Sequence, residues 1–427
     1  MDAAPDPRAL RLTDAGATRR TTPSRLGARG RWPLRDGPTL LWAVLALTVA
    51  VAHPWIRGSG WLLIHLVLLG ALTHSIMVWS AHFAQSLLKA SPTLDVRRAQ
   101  SARLWTLLAG TSLVLVGVPT SSWPMTLVGG GGVVVAVLWH AAQLCRRLRQ
   151  ARPGRFRVTG HYYMAAAASL PVGVALGVLL AGDLSGEARA RLAVAHAMIN
   201  LFGWVGLTVT GTLVMLWPTM LRTRIDDRAE RWAQQALPFL GLGLGVVVAG
   251  ALWGPRWSVV LGIGCYGAGL VWWGRALLSP ARASPPREHA TASVAAALLW
   301  LAVGVSSLGV VVARGASWEL VSHSLGPLTS IFVLGFGAQV LIGALSYLLP
   351  AVLGGGPVAL KAGKAWFQWR TTNRLVAVNG GLALSLLPLP AAARTTALVV
   401  ALAGLATFLP LMVGALRART GRGAPAG

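Results

Sequence analysis

Charge is scarce in this chain. Only 12% of its 427 residues are charged, and 12 residues in all are acidic. That is roughly half the charged share of a soluble domain, so a water-facing globule of this size is excluded. Cysteine is nearly missing too. Cys145 and Cys265 are far apart, and neither belongs to a CxxC pair. Covalent c-type haem, which needs CxxCH, is therefore excluded, as are zinc-ribbon and disulfide frameworks. Both cysteines read as small buried hydrophobes. No Asp or Glu falls deep inside an apolar run, which argues against a carboxylate proton relay. There is no HExxH and no Ser-His-acid pattern. "GIGCYG" at Gly262–Gly267 has no strand before it, and "GGGG" at Gly129–Gly132 has no Gly-Lys-Ser/Thr after it. Neither builds a nucleotide site. The first reads as a small-residue helix-packing surface.

What the chain does have is apolar length. Apolar residues make up 55% of it. Runs of about 18 or more recur from end to end, which predicts a polytopic, all-α membrane protein. The pattern predicts twelve spans, at 39–56, 61–88, 102–120, 123–145, 161–182, 190–221, 235–253, 256–278, 290–314, 319–350, 375–391 and 395–416. Residues 1–38 form a basic tail without an apolar face and read as disordered. The membrane domain is 39–416, and 417–427 is a second short tail. The first apolar run begins near Thr39, too far in for a secretory leader, and reads as a retained helix.

The net charge is +26, with 38 Lys and Arg. These cluster before span one, after each even-numbered span and in the C-terminal tail. Topology explains that distribution better than nucleic-acid binding does. The positive-inside rule predicts a plasma-membrane protein with both termini in the cytoplasm and an even number of spans.

The spans repeat. "GWVGLTVTGTLVMLWP" (Gly203–Pro218) aligns with "GFGAQVLIGALSYLLP" (Gly335–Pro350), pairing Gly203 with Gly335, Gly211 with Gly343 and Pro218 with Pro350. Span two carries a weaker echo in "LLGALTHSIMVW". These long helices are the second of each group of four, which predicts three quartets in a pseudo-threefold arrangement. Each also begins near a histidine: His65, His196 and His323. All three are expected near the outer face. An ionisable ring in a span is costly and is by default a functional hypothesis, against the alternative of interhelical hydrogen bonding. Imidazole is a common haem and copper ligand. Asn200, one turn after His196, is a candidate for orienting that ring, with helix packing as the alternative. His74 lies on the opposite side of span two from His65. His82, His140 and His161 belong near the inner face, and His289 is expected to be solvated in an inner loop.

The text "HLVLLGALTHSIMVWSAHFAQSLL", "AHAMINLFGWVGLTVTGTLVMLWPTMLRTR" and "GFGAQVLIGALSYLLPAVLGGGP" resembles the membrane domain joined to cupredoxin domains in actinobacterial copper nitrite reductase and multicopper oxidase fusion proteins. More distantly, the whole of 39–416 resembles the catalytic subunit of haem–copper oxidases and nitric oxide reductases, and the NnrS-like membrane proteins. The resemblance implies axial haem ligands at His65 and His323 and a further metal ligand at His196. It also implies limits. Residues 235–253 hold no His, span ten holds only His323, and Asn200 stands where an oxidase has Tyr. A dinuclear oxygen-reducing site is incomplete. No cupredoxin sequence follows, so the membrane module alone is expected. The function implied is a haem b electron-transfer module between a membrane donor such as quinol and an extracytoplasmic cupredoxin or copper nitrite reductase. Copper is a second candidate cofactor, without a complete ligand set. The alternative is a non-catalytic assembly factor or a metal- or haem-handling transporter.

Overall fold

The computed structural model describes residues 32–87, 94–150, 157–353 and 356–419. All regular structure among them is helical. In lipid, a backbone polar group must find its partner within the protein, and a helix supplies that partner locally. Helix α1 (Trp32–Ala52) is followed by α2, which comprises Ser59–His65, a π-helical segment Leu66–Leu72, and Thr73–Leu87. Next come α3 (Leu94–Gly117), α4 (Trp123–Gln150) and α5 (Arg157–Leu180). Helix α6 joins Gly186–Met198, the π segment Ile199–Gly206 and Leu207–Leu221. Then follow α7 (Ala229–Trp253), α8 (Arg256–Ala283), α9 (His289–Arg314) and the short α10 (Trp318–His323). Helix α11 joins Leu325–Ser330, the π segment Ile331–Ala338 and Gln339–Leu353. The last are α12 (Gly356–Gln368), α13 (Thr371–Ser385), α14 (Ala391–Ala406) and α15 (Phe408–Arg419).

Ten helices among the described residues are long and apolar enough to cross a membrane, counting α14 and α15 as one. This fits a multi-pass membrane protein. Helices α3 and α13 stand where the third and eleventh spans were expected, but fall short of that standard. Helix α3 carries Arg97, Arg98 and Arg103 in its first half, and α13 is 15 residues long. Helix α1 starts at Trp32, ahead of the expected Thr39, so only 1–31 of the expected disordered tail lies outside the described residues. Helix α12 was not expected at all. Its two lysines masked an amphipathic face on which Gly363 rests against Pro350 and Trp366 lies over Gly414.

Helices α3 and α4, α7 and α8, and α13 and α14 form close antiparallel hairpins. Small residues set their spacing. A Cβ on Gly262 would stand 2.8 Å from the backbone nitrogen of Val247, and one on Gly110 would stand 2.7 Å from the carbonyl oxygen of Gly129. Both glycine-rich stretches are thus packing surfaces, where close backbone approach replaces the missing hydrophobic drive in lipid. Large side chains such as Trp253, Trp257, Leu261 and Val271 face outward.

The three π segments lie in α2, α6 and α11, whose repeats were visible in the sequence. A π turn leaves carbonyls without the usual fourth-residue partner, and a side chain serves each segment here. Thr73 donates to Leu68 O, Tyr266 to Phe202 O at 2.9 Å, and Gln339 to Gly335 O. The Tyr266 ring also stacks on Phe202, with centroids 4.8 Å apart. Tyr266→Phe keeps the stacking and strands a buried carbonyl, at a cost of about 1–3 kcal/mol. Thermal unfolding in detergent should therefore show a lower Tm. An unchanged Tm would mean that the Phe202 carbonyl has another partner.

Candidate functional site

The π segments surround a cavity of about 400 Å³, walled by α2, α3, α4, α5, α6 and α11. Its size is that of a small-molecule or cofactor pocket. Leu68, Val114, Val133, Leu170, Val174 and Phe332 are among its apolar walls. The single charged side chain among the described lining residues is Arg189, exposed near the start of α6, where its Nη1 donates to Leu180 O at 2.9 Å.

His65 and His196 both line this cavity, and their ring centroids are 6.3 Å apart. Each ring is held from behind. His65 Nδ1 lies 2.8 Å from Trp61 O, one turn earlier, and the ring stacks on the Trp61 indole with centroids 4.0 Å apart. His196 Nδ1 lies 2.8 Å from Gly173 O on α5. A carbonyl oxygen only accepts, so both Nδ1 atoms carry the proton. Both Nε2 atoms are left with a lone pair and no hydrogen-bond partner among the described residues. This is the arrangement that orients a ligating histidine and raises its basicity.

Local sequence explains the positions. On α5, Gly173 and Gly177 are four residues apart and form a shallow groove. On α6, His196 and Asn200 share that spacing and fill it. A Cβ on Gly177 would lie 2.8 Å from His196 Cε1, and one on Gly173 would overlap the Asn200 amide. The floor of the cavity is tied by Trp204 Nε1, which donates to Thr73 Oγ1 at 3.0 Å and so joins α6 to α2.

The sequence-predicted residues are distributed as follows. His65 and His196 are brought together. Asn200 is beside them, but its Nδ2 donates to the His196 backbone carbonyl at 2.7 Å and stands 3.4 Å from His196 Nδ1. The Gly173 carbonyl is the closer partner of that ring nitrogen. His323 is not in the cavity. It ends α10, is exposed, and is separated from α11 by a break at Ser324. The α11 face toward the cavity carries Leu325, Leu328, Thr329, Phe332 and Val333 instead. His74 pins α2 to α1 through Nε2 and Arg35 O, and His140 Nε2 meets Ser80 Oγ at 2.9 Å. His161 is exposed. His289 is buried, not solvated. It opens α9 with its backbone N–H donating to Gln368 Oε1 on α12, the helix that sequence reading did not anticipate. Cys145 and Cys265 are half-buried and unpaired.

Several working parts carried no sequence signal of their own. Trp61, Gly173, Gly177, Thr73 and Trp204 matter because of what they touch across helices. The GxxxG spacing of Gly173 and Gly177 was the one legible hint.

Among the described residues, no three or more His, Cys, Asp or Glu side chains gather as a metal cluster. A zinc or copper ion held by protein alone calls for three or four donors. Haem iron brings four nitrogens of its own and asks the protein for one or two. An imidazole nitrogen sits about 2 Å from its metal, so two rings sharing one metal have centroids roughly 6 Å apart. The two rings lie near parallel, 25° apart, and two imidazole donors in an apolar cavity are the kind of ligands a haem asks of a protein. In comparisons with known proteins, no family model matches the chain, and no curated protein matches it.

Proposed function

We propose that this protein is a membrane haem b module for electron transfer, with His65 and His196 as the axial pair. The observation that supports this most directly is a pair of imidazoles lining one apolar cavity, their centroids 6.3 Å apart and each Nδ1 on a backbone carbonyl. This pairing replaces the His65–His323 pair that the resemblance implied, and it makes His196 an axial ligand rather than a separate one. When bound, haem iron supplies one-electron redox chemistry at a potential set by its ligands and burial. The chain's own residues do the rest. Trp61 O and Gly173 O fix the tautomers, the apolar walls keep water out, and Arg189 offers a positive charge to a carboxylate at the cavity's edge.

The wider architecture belongs to the same proposal. Twelve membrane helices in three quartets are supported by the π segment in the second helix of each group. The hairpins α3/α4, α7/α8 and α13/α14, formed by the third and fourth helices, support it too. Both termini lie in the cytoplasm of a plasma-membrane protein. The donor is quinol or another membrane reductant. The acceptor is an extracytoplasmic cupredoxin or copper nitrite reductase.

The test is a dithionite-reduced minus oxidised spectrum of the detergent-purified protein. A b-type spectrum is expected. No Soret band, even after haem supplementation, would overturn the proposal and favour an assembly factor or a metal-handling transporter.

A further inference from the structure

A second unusual region lies at the other end of the first four helices, roughly 22 Å along α2 from His65 at 1.5 Å per residue. It is basic and buried. Arg97, Gln100 and Arg103 follow one another at three-residue spacing, so they share one face of α3. Arg103 is 2% exposed and Gln100 is 4% exposed. Arg103 Nη1, Gln100 Oε1 and Arg97 Nε are buried without a hydrogen-bond partner. Arg147 and His140 of α4 lie within electrostatic reach of Arg103, and Arg35 of α1 lies within reach of Arg97.

Among the described residues, no acid is recorded beside Arg103 or Arg147. Helices α1 to α4 contain two acids, Asp36 and Asp95. Asp36 sits against Arg35. Asp95 is almost fully exposed and makes a long 3.9 Å pair with Arg98. A buried guanidinium with an unpaired N–H and cationic neighbours is strongly unfavourable unless an anion completes the site. The planar guanidinium fork binds two oxygens of a carboxylate or a phosphate through paired N–H groups. The end of the bundle matters as well. It is the arginine-rich end, where the positive-inside rule places the inner-leaflet headgroups.

We infer that Arg103, with Arg147, forms a binding site for a phosphate-bearing anion. The phosphate is either that of an acidic phospholipid headgroup or free inorganic phosphate. The site is separate from the histidine cavity and does not depend on haem.

The experiment is thermal unfolding of the full chain in mild detergent, followed by tryptophan fluorescence. Phosphatidylglycerol, phosphatidylcholine or inorganic phosphate is titrated in. Phosphatidylglycerol should raise the Tm of the wild type and phosphatidylcholine should not. An equal shift with inorganic phosphate alone assigns the free ion, and a shift with the lipid alone assigns the headgroup. Arg103→Gln should weaken the apparent affinity about tenfold or more. Arg149→Gln, at an exposed arginine of the same end, should leave it unchanged. If Arg103→Gln does not fold, Arg147→Gln gives the same reading from the half-buried partner. No anion-dependent shift in the wild type overturns the inference. So does a shift retained in full by the Arg103 and Arg147 variants.

Discussion

His65→Ala and His196→Ala should each abolish the b-type difference spectrum, while His323→Ala should leave it intact. The two rings share one cavity, so on the proposed reading either loss would leave a haem with a single protein ligand there. Altering the groups behind a ligand typically weakens metal binding about 10- to 100-fold, and losing the ligand itself does more. Retention during purification then fails. His323 is exposed on α10 and its removal vacates nothing in the cavity. The triple comparison therefore separates two geometries, which spectra of the wild type alone do not. A spectrum that survives His196→Ala but not His323→Ala would restore the pairing that the oxidase likeness implies. It would also require α10 to swing inward in the loaded protein.

Gly177→Val should produce the second large effect, and on a protein that still folds. The first added carbon already meets His196 Cε1 at 2.8 Å, and valine adds two more. Either the ring turns and gives up the Gly173 carbonyl, or α5 moves away from α6. Overpacking of this kind costs about 1–3 kcal/mol. Losing the Nδ1 bond lowers affinity for a metal by about 10- to 100-fold. The measurement is haem per protein, read beside the Tm. Gly131→Ala is the matched control, because a Cβ at Gly131 of α4 meets nothing within 4 Å. Full haem content in a stably folded Gly177→Val would show that the α5 groove does not set the His196 ring.

Much of the scaffold was legible. The apolar runs identified most of the membrane-length helices, because hydropathy over a span reports directly on the environment a helix must enter. The alignment of Gly203–Pro218 with Gly335–Pro350 pointed to the helices that now carry π segments. Those segments were not legible themselves. An extra residue in a turn leaves no compositional mark, and the side chains that reach its carbonyls, Tyr266, Thr73 and Gln339, are common residues with other uses. Helix α12 was missed because its lysines broke the apolar run, and α12 in turn buries His289.

The site divided differently. Residue order alone was enough to place titratable rings near the starts of three long apolar runs, and to show basic residues outnumbering acids 38 to 12 and clustering between the runs. Those facts follow from residue identity and spacing along a helix of known pitch. Which histidines face one another was decided only by tertiary structure. His65 and His196 meet because Gly173 and Gly177 let α5 and α6 approach closely and because Trp204 ties α6 to α2. His323 stays outside because the chain breaks at Ser324, leaving an apolar helix face toward the cavity. A linear pattern records which residues a helix carries. The rotation of that helix about its axis is set by the small residues and hydrogen bonds of its neighbours.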